Sequence, residues 1–455
     1  MLKVPKTRSI GPSSRVRSRT RSLKRHHVAT GALYLGIDYG TSGARCTVID
    51  EDENIIEEYR ATYDASQGGA SSPEAWVSAL GFLLSQIDVD LKLDIASIAI
   101  DGTSSTALMV NGDGKPVSSA KMYNEAQDRK YLDMVSRVAP QDHTVCSSTS
   151  TLAKAYAFLD AMEGNIDDGY TMLHQADYLA FQLHRCMGHS DWNNCLKVGY
   201  CPQTEEYPEW LTSAEEVFKI LPKIIHPPGE PVGPIHPEAA SLYGLSNSCT
   251  VVSGTTDSIA AFLASGVSSP GQAVTSLGST LAIKLLSENP VNDARYGVYS
   301  HRLGQSWLVG GASNSGGIVL RQYFTDEELA QLTSMIDINT PTGLKYVVLP
   351  SKGERFPDND PNMLPNLEPR PAEKHIFLQG ILENLSSTES RAYALLSDLG
   401  ATRVKEIHTC GGGAKNPVWT ALRSRMIGVP VIECANGEAS FGAAILARRG
   451  LHGCV

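Results

Sequence analysis

At 455 residues the chain is too long for one core, so two domains of about 200 residues each are expected, with a cleft between them as the default ligand site. Hydrophobic residues make up 42% and charged residues 19%, a globular composition, and no run reaches the roughly 18 consecutive apolar residues of a membrane span. The net charge of −10 hides an asymmetry: residues 1–30 hold nine Lys and Arg and no acid, which leaves 30 basic against 49 acidic residues in a body that repels nucleic acid.

The N-terminal stretch, residues 1–32, is Ser- and Arg-rich and has no apolar centre, which fits an organelle transit segment better than a secretory signal. Its serines favour a chloroplast; a mitochondrion, or an uncleaved arm in the cytoplasm, are the alternatives. Nine cysteines stand singly without a CxxC pair, so neither a zinc ribbon nor a thioredoxin-type centre is expected.

Residues 33–38 and 44–50 have strand character around Tyr39-Gly40-Thr41-Ser42-Gly43, and 54–61 can add a third strand. Residues 73–85 carry Trp76, Leu80, Leu83 and Leu84 at helical spacing, and 95–100 form an apolar strand that ends at Asp101. Strand alternating with helix indicates an α/β class. Residues 122–200 are expected as helices with polar loops. Residues 205–237, rich in Pro and Gly, are expected to wrap the surface, pinned by Trp210 and Phe218. A strand at 250–254 leads through Thr255 and Thr256 to Asp257 at the start of a helix. Residues 273–286 then repeat the opening theme of strand, Gly278-Ser279-Thr280 turn and strand, the nearest approach to an internal repeat. Helices are expected over 377–396, 421–426 and 440–448, a strand over 404–409, and a loop over 350–371.

Glycine frees a turn to bring N–H groups to an anion, and Thr41, Ser42, Ser279 and Thr280 add hydroxyl donors. Each turn alone could be an ordinary hairpin; two of them in successive halves suggest jaws on a polyphosphate. Asp38, at the end of the strand before the first turn, can hold Mg²⁺ through water. Gly411, Gly412 and Gly413 stand where a strand meets a helix, and leave room for a flat adenine or for close helix packing. A dinucleotide fingerprint is disfavoured there, since the third glycine of its pattern is missing. Asp257 is placed as a general base or as a plain helix cap. Asp101, Gly102, Thr103 and Ser104 offer acceptors and hydroxyls suited to a polyol, or form a capped turn. A Walker A sequence is absent, and the spacing of His184, Cys186 and His189 fits no metal pattern.

Taken in order, LGIDYGTSGAR, SGTTDSIAAFLASG, SLGSTLAI and CGGGAKNPVW resemble the signature segments of the FGGY carbohydrate kinase family, and the resemblance runs from residue 33 to residue 450. It implies two ribonuclease-H-like domains of the actin-like ATPase type around a central cleft. Residues 33–252 would lie on the sugar side and residues 253–455 on the nucleotide side, with ATP and Mg²⁺ between them. The resemblance makes Asp257 the catalytic base and Asp38 the carboxylate beside Mg²⁺, phosphate and substrate. Thr41, Ser42, Gly278, Ser279 and Thr280 would hold phosphate, and Gly411, Gly412, Gly413 and Asn416 would line the adenosine pocket. Residues 148–158 depart from the family's first signature, whose tryptophan is missing. The Asp101–Ser104 run and Met122-Tyr123-Asn124-Glu125 are closer to pentulose kinases. With the transit-like tail they resemble a short plant and cyanobacterial branch that includes D-ribulose kinases. The expected reaction is D-ribulose to D-ribulose 5-phosphate, with D-xylulose as the alternative. A nucleotide-dependent switch or ATPase of the same architecture is the rival class; the polar loop from Asp101 argues for a sugar. Small molecules, and neither nucleic acid nor membrane, are the expected partners.

Overall fold

Two hairpins of similar build organise the chain. In the computed structural model, which describes residues 31–162 and 169–453, strands Leu33–Tyr39 and Gly43–Ile49 pair antiparallel around residues 40–42. Strands Gln272–Leu277 and Leu281–Ser287 do the same around residues 278–280. The transit-segment expectation for residues 1–32 falls almost wholly outside the described residues.

Each hairpin grows into a sheet on the same plan. On one side the first sheet adds Ile55–Thr62 antiparallel; on the other it adds Ile95–Gly102 and Thr250–Val252 in parallel, then Pro231–Pro234 at the edge. The second sheet runs Tyr299–Leu303, Ser306–Ala312, Leu281–Ser287, Gln272–Leu277, Glu406–Cys410, Val431–Glu433, and its last two pairings are parallel. The repeated turn chemistry in the sequence therefore marks a repeated architecture. The strands Tyr299–Leu303 and Ser306–Ala312 were not among the expected elements.

Helices cover the sheets where apolar spacing predicts them. Pro73–Gln86 starts with Ser72 accepting from the Ala75 N–H at 3.2 Å and with Pro73 at the first position, where its missing N–H has no consequence. It buries Trp76, Leu80, Leu83 and Leu84 against the first sheet. Lys374–Asp398 lays Phe377, Leu378, Ile381 and Leu385 on the second sheet. Residues 205–237 do more than wrap the surface. Leu211, Val217, Ile220 and Leu221 join Leu152 and Phe158 in a separate core, with Trp210 and Phe218 packed against it. Pro231–Pro234 forms a sheet edge, a position where proline's missing donor is tolerated.

The last helix, Ala439–His452, belongs to the second half in sequence yet packs on the first sheet. Its Ala443, Ala444, Ile445 and Leu446 share a buried cluster with Tyr34, Ile49, Ala99 and Val252. Thr47 and Ser440 hydroxyls lie 2.8 Å apart, and Arg45 pairs with Glu438. The helix also crosses Asp257–Ala264 so closely that a Cβ on Gly442 would stand 1.8 Å from the Ala260 carbonyl oxygen. The Asp257–Ala264 helix in turn gives Leu263 and Ala264 to the first sheet's cluster, and Ile259 and Phe262 to a cluster with Val274, Leu286 and Leu308 of the second. Residues 32–453 form a single compact unit in which that helix is an element shared by both clusters. Among the described residues no helix is long and apolar enough to cross a membrane.

Candidate active site

Parallel pairing brings three acidic positions to one edge of the first sheet. Asp38 lies opposite Asp101 in the register of Leu33–Tyr39 with Ile95–Gly102, and Asp101 lies opposite Thr255, two residues before Asp257. The strands Leu33–Tyr39, Ile95–Gly102 and Thr255–Thr256 all end here, and ligands of open α/β sheets bind beyond such carboxyl ends. Asp101 is fully buried and Asp38 is 8% exposed. Among the described residues nothing donates a hydrogen bond to either Asp101 oxygen. Burial, followed by the charge of Asp38, holds the Asp101 carboxyl well above its ordinary range. Asp38 is also raised by burial, opposed by its interaction with Asp101 and by the charge of Arg45. A shared proton or a bound cation resolves the repulsion of such a pair.

Asp257 is the half-buried member and the first residue of its helix, where its carboxylate accepts from the Ser258 N–H at 2.6 Å. Burial pushes it up to about 6, with the negative charge of Asp38 adding and the Lys284 ammonium opposing. Such a group is ionised at neutral pH yet basic enough to take a proton. The loop after Asp101 is firmly held. Thr103 donates its N–H to Gln175 Oε1 at 3.0 Å, its hydroxyl sits 2.5 Å from that of Thr106, and Lys154 Nζ donates to the carbonyls of Ser105 and Met122, each at 2.7 Å. Thr103 is thus turned into the protein, and Ser104 is the more accessible hydroxyl of the run.

A cavity of about 890 Å³ opens at the matching edge of the second sheet. Gly278 and Ser279 of the second turn, Gly412, Gly413 and Asn416 all line it, so two segments more than 130 residues apart in the chain share one space. The three glycines are there for different reasons. Gly411 has φ +85°, a conformation strained for other residues. Gly412 faces open space, with nothing within 4 Å of where a Cβ would be. A Cβ on Gly413 would come within 2.6 Å of Trp419 and 2.8 Å of Leu277. Asn416 caps the Pro417–Ile427 helix by accepting from the Trp419 N–H at 3.0 Å. Trp419 and Leu422 pack inward as expected.

The first turn is less enclosed. Thr41 and Ser42 are exposed at its tip, directly after the strand that ends in Asp38 and Tyr39, and they line neither this cavity nor the smaller one beside Ser258. Thr280 is likewise exposed at its own tip. Sequence reasoning missed Lys154 and Lys284, single cations in apolar runs, and Gln175 at a helix start, because their partners lie far along the chain. Among the described residues no group of three or more His, Cys, Asp and Glu is arranged to hold a metal.

Comparison with known proteins fits this geometry. The N-terminal domain of the FGGY family of carbohydrate kinases matches residues 33–264, and its C-terminal domain matches residues 273–451. A xylulose kinase of Staphylococcus xylosus is 22% identical over 92% of this chain and 91% of its own length, and one of Bacillus subtilis is 24% identical over 91% and 88%. A ribulokinase of Halalkalibacterium halodurans is 24% identical over 56% of this chain and 53% of its own. A Brucella ovis kinase structure, titled a xyloylose kinase, superposes with a TM-score of 0.78 at 22% identity, covering 92% of this chain and 91% of that one. Plasmodium falciparum glycerol kinase with ADP gives the same TM-score at 17% identity over 92% and 90%. With both family domains matched in order across most of its length, and two actin-like ATPase domains in its fold, the chain belongs to the FGGY family of carbohydrate kinases and is an ATP-dependent sugar kinase.

Proposed function

We propose that the protein phosphorylates a ketopentose, converting D-ribulose to D-ribulose 5-phosphate, with D-xylulose as the second choice. The observation that carries the reading is Asp257: a raised, half-open carboxylate on the helix shared by both sheets, beside the Asp38 and Asp101 strand ends. In this reading residues 33–252 hold the sugar and residues 253–455 the nucleotide. The terminal hydroxyl of the ketose attacks the γ-phosphorus in line as the bond to the bridging oxygen of the departing ADP breaks, Asp257 accepts the hydroxyl proton, and the turns at 40–42 and 278–280 receive the phosphate oxygens through N–H and hydroxyl donors. The relatives named xylulose kinase and ribulokinase support a pentulose, as does the polar loop that begins at Asp101.

The Asp38 and Asp101 pair suits Mg²⁺, whose octahedral shell keeps several waters and uses one or two carboxylates together with phosphate oxygens. Bound there, the ion would neutralise phosphate charge. Asp38→Asn should raise the half-saturating Mg²⁺ concentration by about tenfold, a loss of about 1.4 kcal/mol in binding; an unaltered Mg²⁺ titration removes Asp38 from this role. In the cavity of the second half, Gly412→Val should fill space that adenosine needs without touching the core. The KM for ATP should rise about tenfold or more with Tm unchanged, and an unchanged KM moves the adenosine elsewhere.

The deciding experiment is ADP release across a panel of pentuloses, hexuloses and glycerol, with the sugar phosphate identified. D-ribulose should give the highest kcat/KM. A preference for glycerol, or ATP turnover with no phosphorylated sugar, overturns the assignment. The acid-free basic segment at the N-terminus supports delivery to a chloroplast.

A further inference from the structure

Lys284 stands where the fold has no need of a cation. It lies on the strand Leu281–Ser287, on the face that packs Val274, Leu286 and Leu308 against Ile259 and Phe262 of the Asp257–Ala264 helix. A methionine would continue that apolar face. Instead the lysine stem runs past Gly310, its cross-strand partner, where a Cβ would come 3.3 Å from Lys284 Cγ, and Nζ donates to the Ser258 carbonyl in the first turn of the helix. A cation at the N-terminal end of a helix opposes the helix dipole, so this placement is unfavourable unless a nearby anion offsets it. The Asp257 carboxylate is that anion.

Other charged groups approach from each side. Asp38 acts on Asp257 from the first sheet, Lys197 faces it from the first half, and Cys410 lies near Lys284 on the second sheet. His301, on Tyr299–Leu303, is buried and held neutral, partly by the two lysines. Lys284, Ser258, Tyr299, His301 and Arg355 line a cavity of about 470 Å³, so the lysine borders open space as well as core. Lys284 lies four residues beyond Thr280 on the strand that leaves the second turn, roughly 13 Å of strand at the usual rise.

We infer that Lys284 is a positioning residue for phosphoryl transfer: from the strand that leaves the second hydroxyl-rich turn, its ammonium ties the start of the Asp257 helix to the nucleotide-side sheet and fixes the carboxylate toward the site. This rests on Asp257 being the base. The lysine sets the geometry between base and phosphate cradle, where a displacement of about 1 Å can lower turnover by about 100-fold. The ATP cavity itself does not include it.

The test is steady-state kinetics and thermal melting of the full chain carrying Lys284→Met or Lys284→Arg. The methionine variant should lose about 10- to 100-fold in kcat, keep its KM for ATP within about twofold, and melt at or above the wild-type Tm. The arginine variant, which keeps the cation, should recover kcat to within about threefold. A methionine variant with wild-type kcat, a loss confined to KM, or a loss that arginine does not restore each overturns the assignment. Asp257→Asn measured alongside separates the two claims. If it is inactive while Lys284→Met turns over normally, only the lysine role falls; if it is active, the base reading falls.

Discussion

Asp257→Asn is expected to lower kcat by about 10²- to 10⁴-fold while leaving ATP binding intact. The amide keeps the acceptor that holds the Ser258 N–H at 2.6 Å, so the start of the helix should survive. Its stability should not fall either. A carboxyl raised to about 6 in the folded state binds its proton more tightly there than when unfolded, so it favours folding below its unfolded pKa of 3.8 and loses that contribution as pH rises through about 6. At neutral pH the ionised group is therefore a burden that asparagine removes. The wild-type kcat/KM should show an acid limb near pH 6, with activity lost as the pH drops and the base becomes protonated. Asp38→Asn, by removing a negative charge that raises Asp257, should move that limb to lower pH. Turnover of Asp257→Asn within threefold of wild type would remove the residue from catalysis.

A second large effect lies behind the Gly411–Gly413 turn, in stability. Arg423 and Glu389 are both fully buried and form a two-pronged pair: Nε to Oε2 and Nη2 to Oε1, each at 2.6 Å. Arg423 Nη1 also donates to the Thr409 hydroxyl at 2.8 Å, and the Thr275 hydroxyl donates to Glu389 at 2.5 Å. The pair joins two helices to two strands of the second sheet, directly behind the strand that runs into Gly411. Arg423→Met would strand a buried carboxylate, and a loss of about 3–5 kcal/mol is expected on denaturant unfolding. Adding Glu389→Met should restore much of it, because two apolar side chains of similar volume need no partner. If the single variant unfolds within 1 kcal/mol of wild type, the pair is not the keystone of that half.

Local chemistry was the legible part of the sequence. The hairpins at 33–49 and 272–287 announce themselves because glycine and hydroxyl residues between apolar strands have few other uses. Asp257 was placed correctly at a helix start because strand and helix periods meet there. The glycine run at 411–413 and the inward Trp419 were read from the same junction. What escaped was set by distance along the chain. Nothing local says that 439–452 covers a sheet begun at residue 33, or that Lys154 reaches the carbonyls of Ser105 and Met122. Residues 205–237 read as surface because Pro and Gly recur through them, yet Leu211, Val217, Ile220 and Leu221 were enough to build a core. The strands at 299–312 were missed because their glycines and polar residues blur the alternation that marks a half-buried strand.

The helix Ala439–His452 also constrains how the molecule can be made. Domains usually fold in the order in which the ribosome releases them. Here the apolar back of the first sheet, with Tyr34, Ala99 and Val252, receives cover from a helix that begins only at residue 439. A nascent chain therefore carries part of that face bare until residues 439–452 have been made, and a truncation before residue 439 leaves an open, adhesive surface. The first half stays open until that helix has been made.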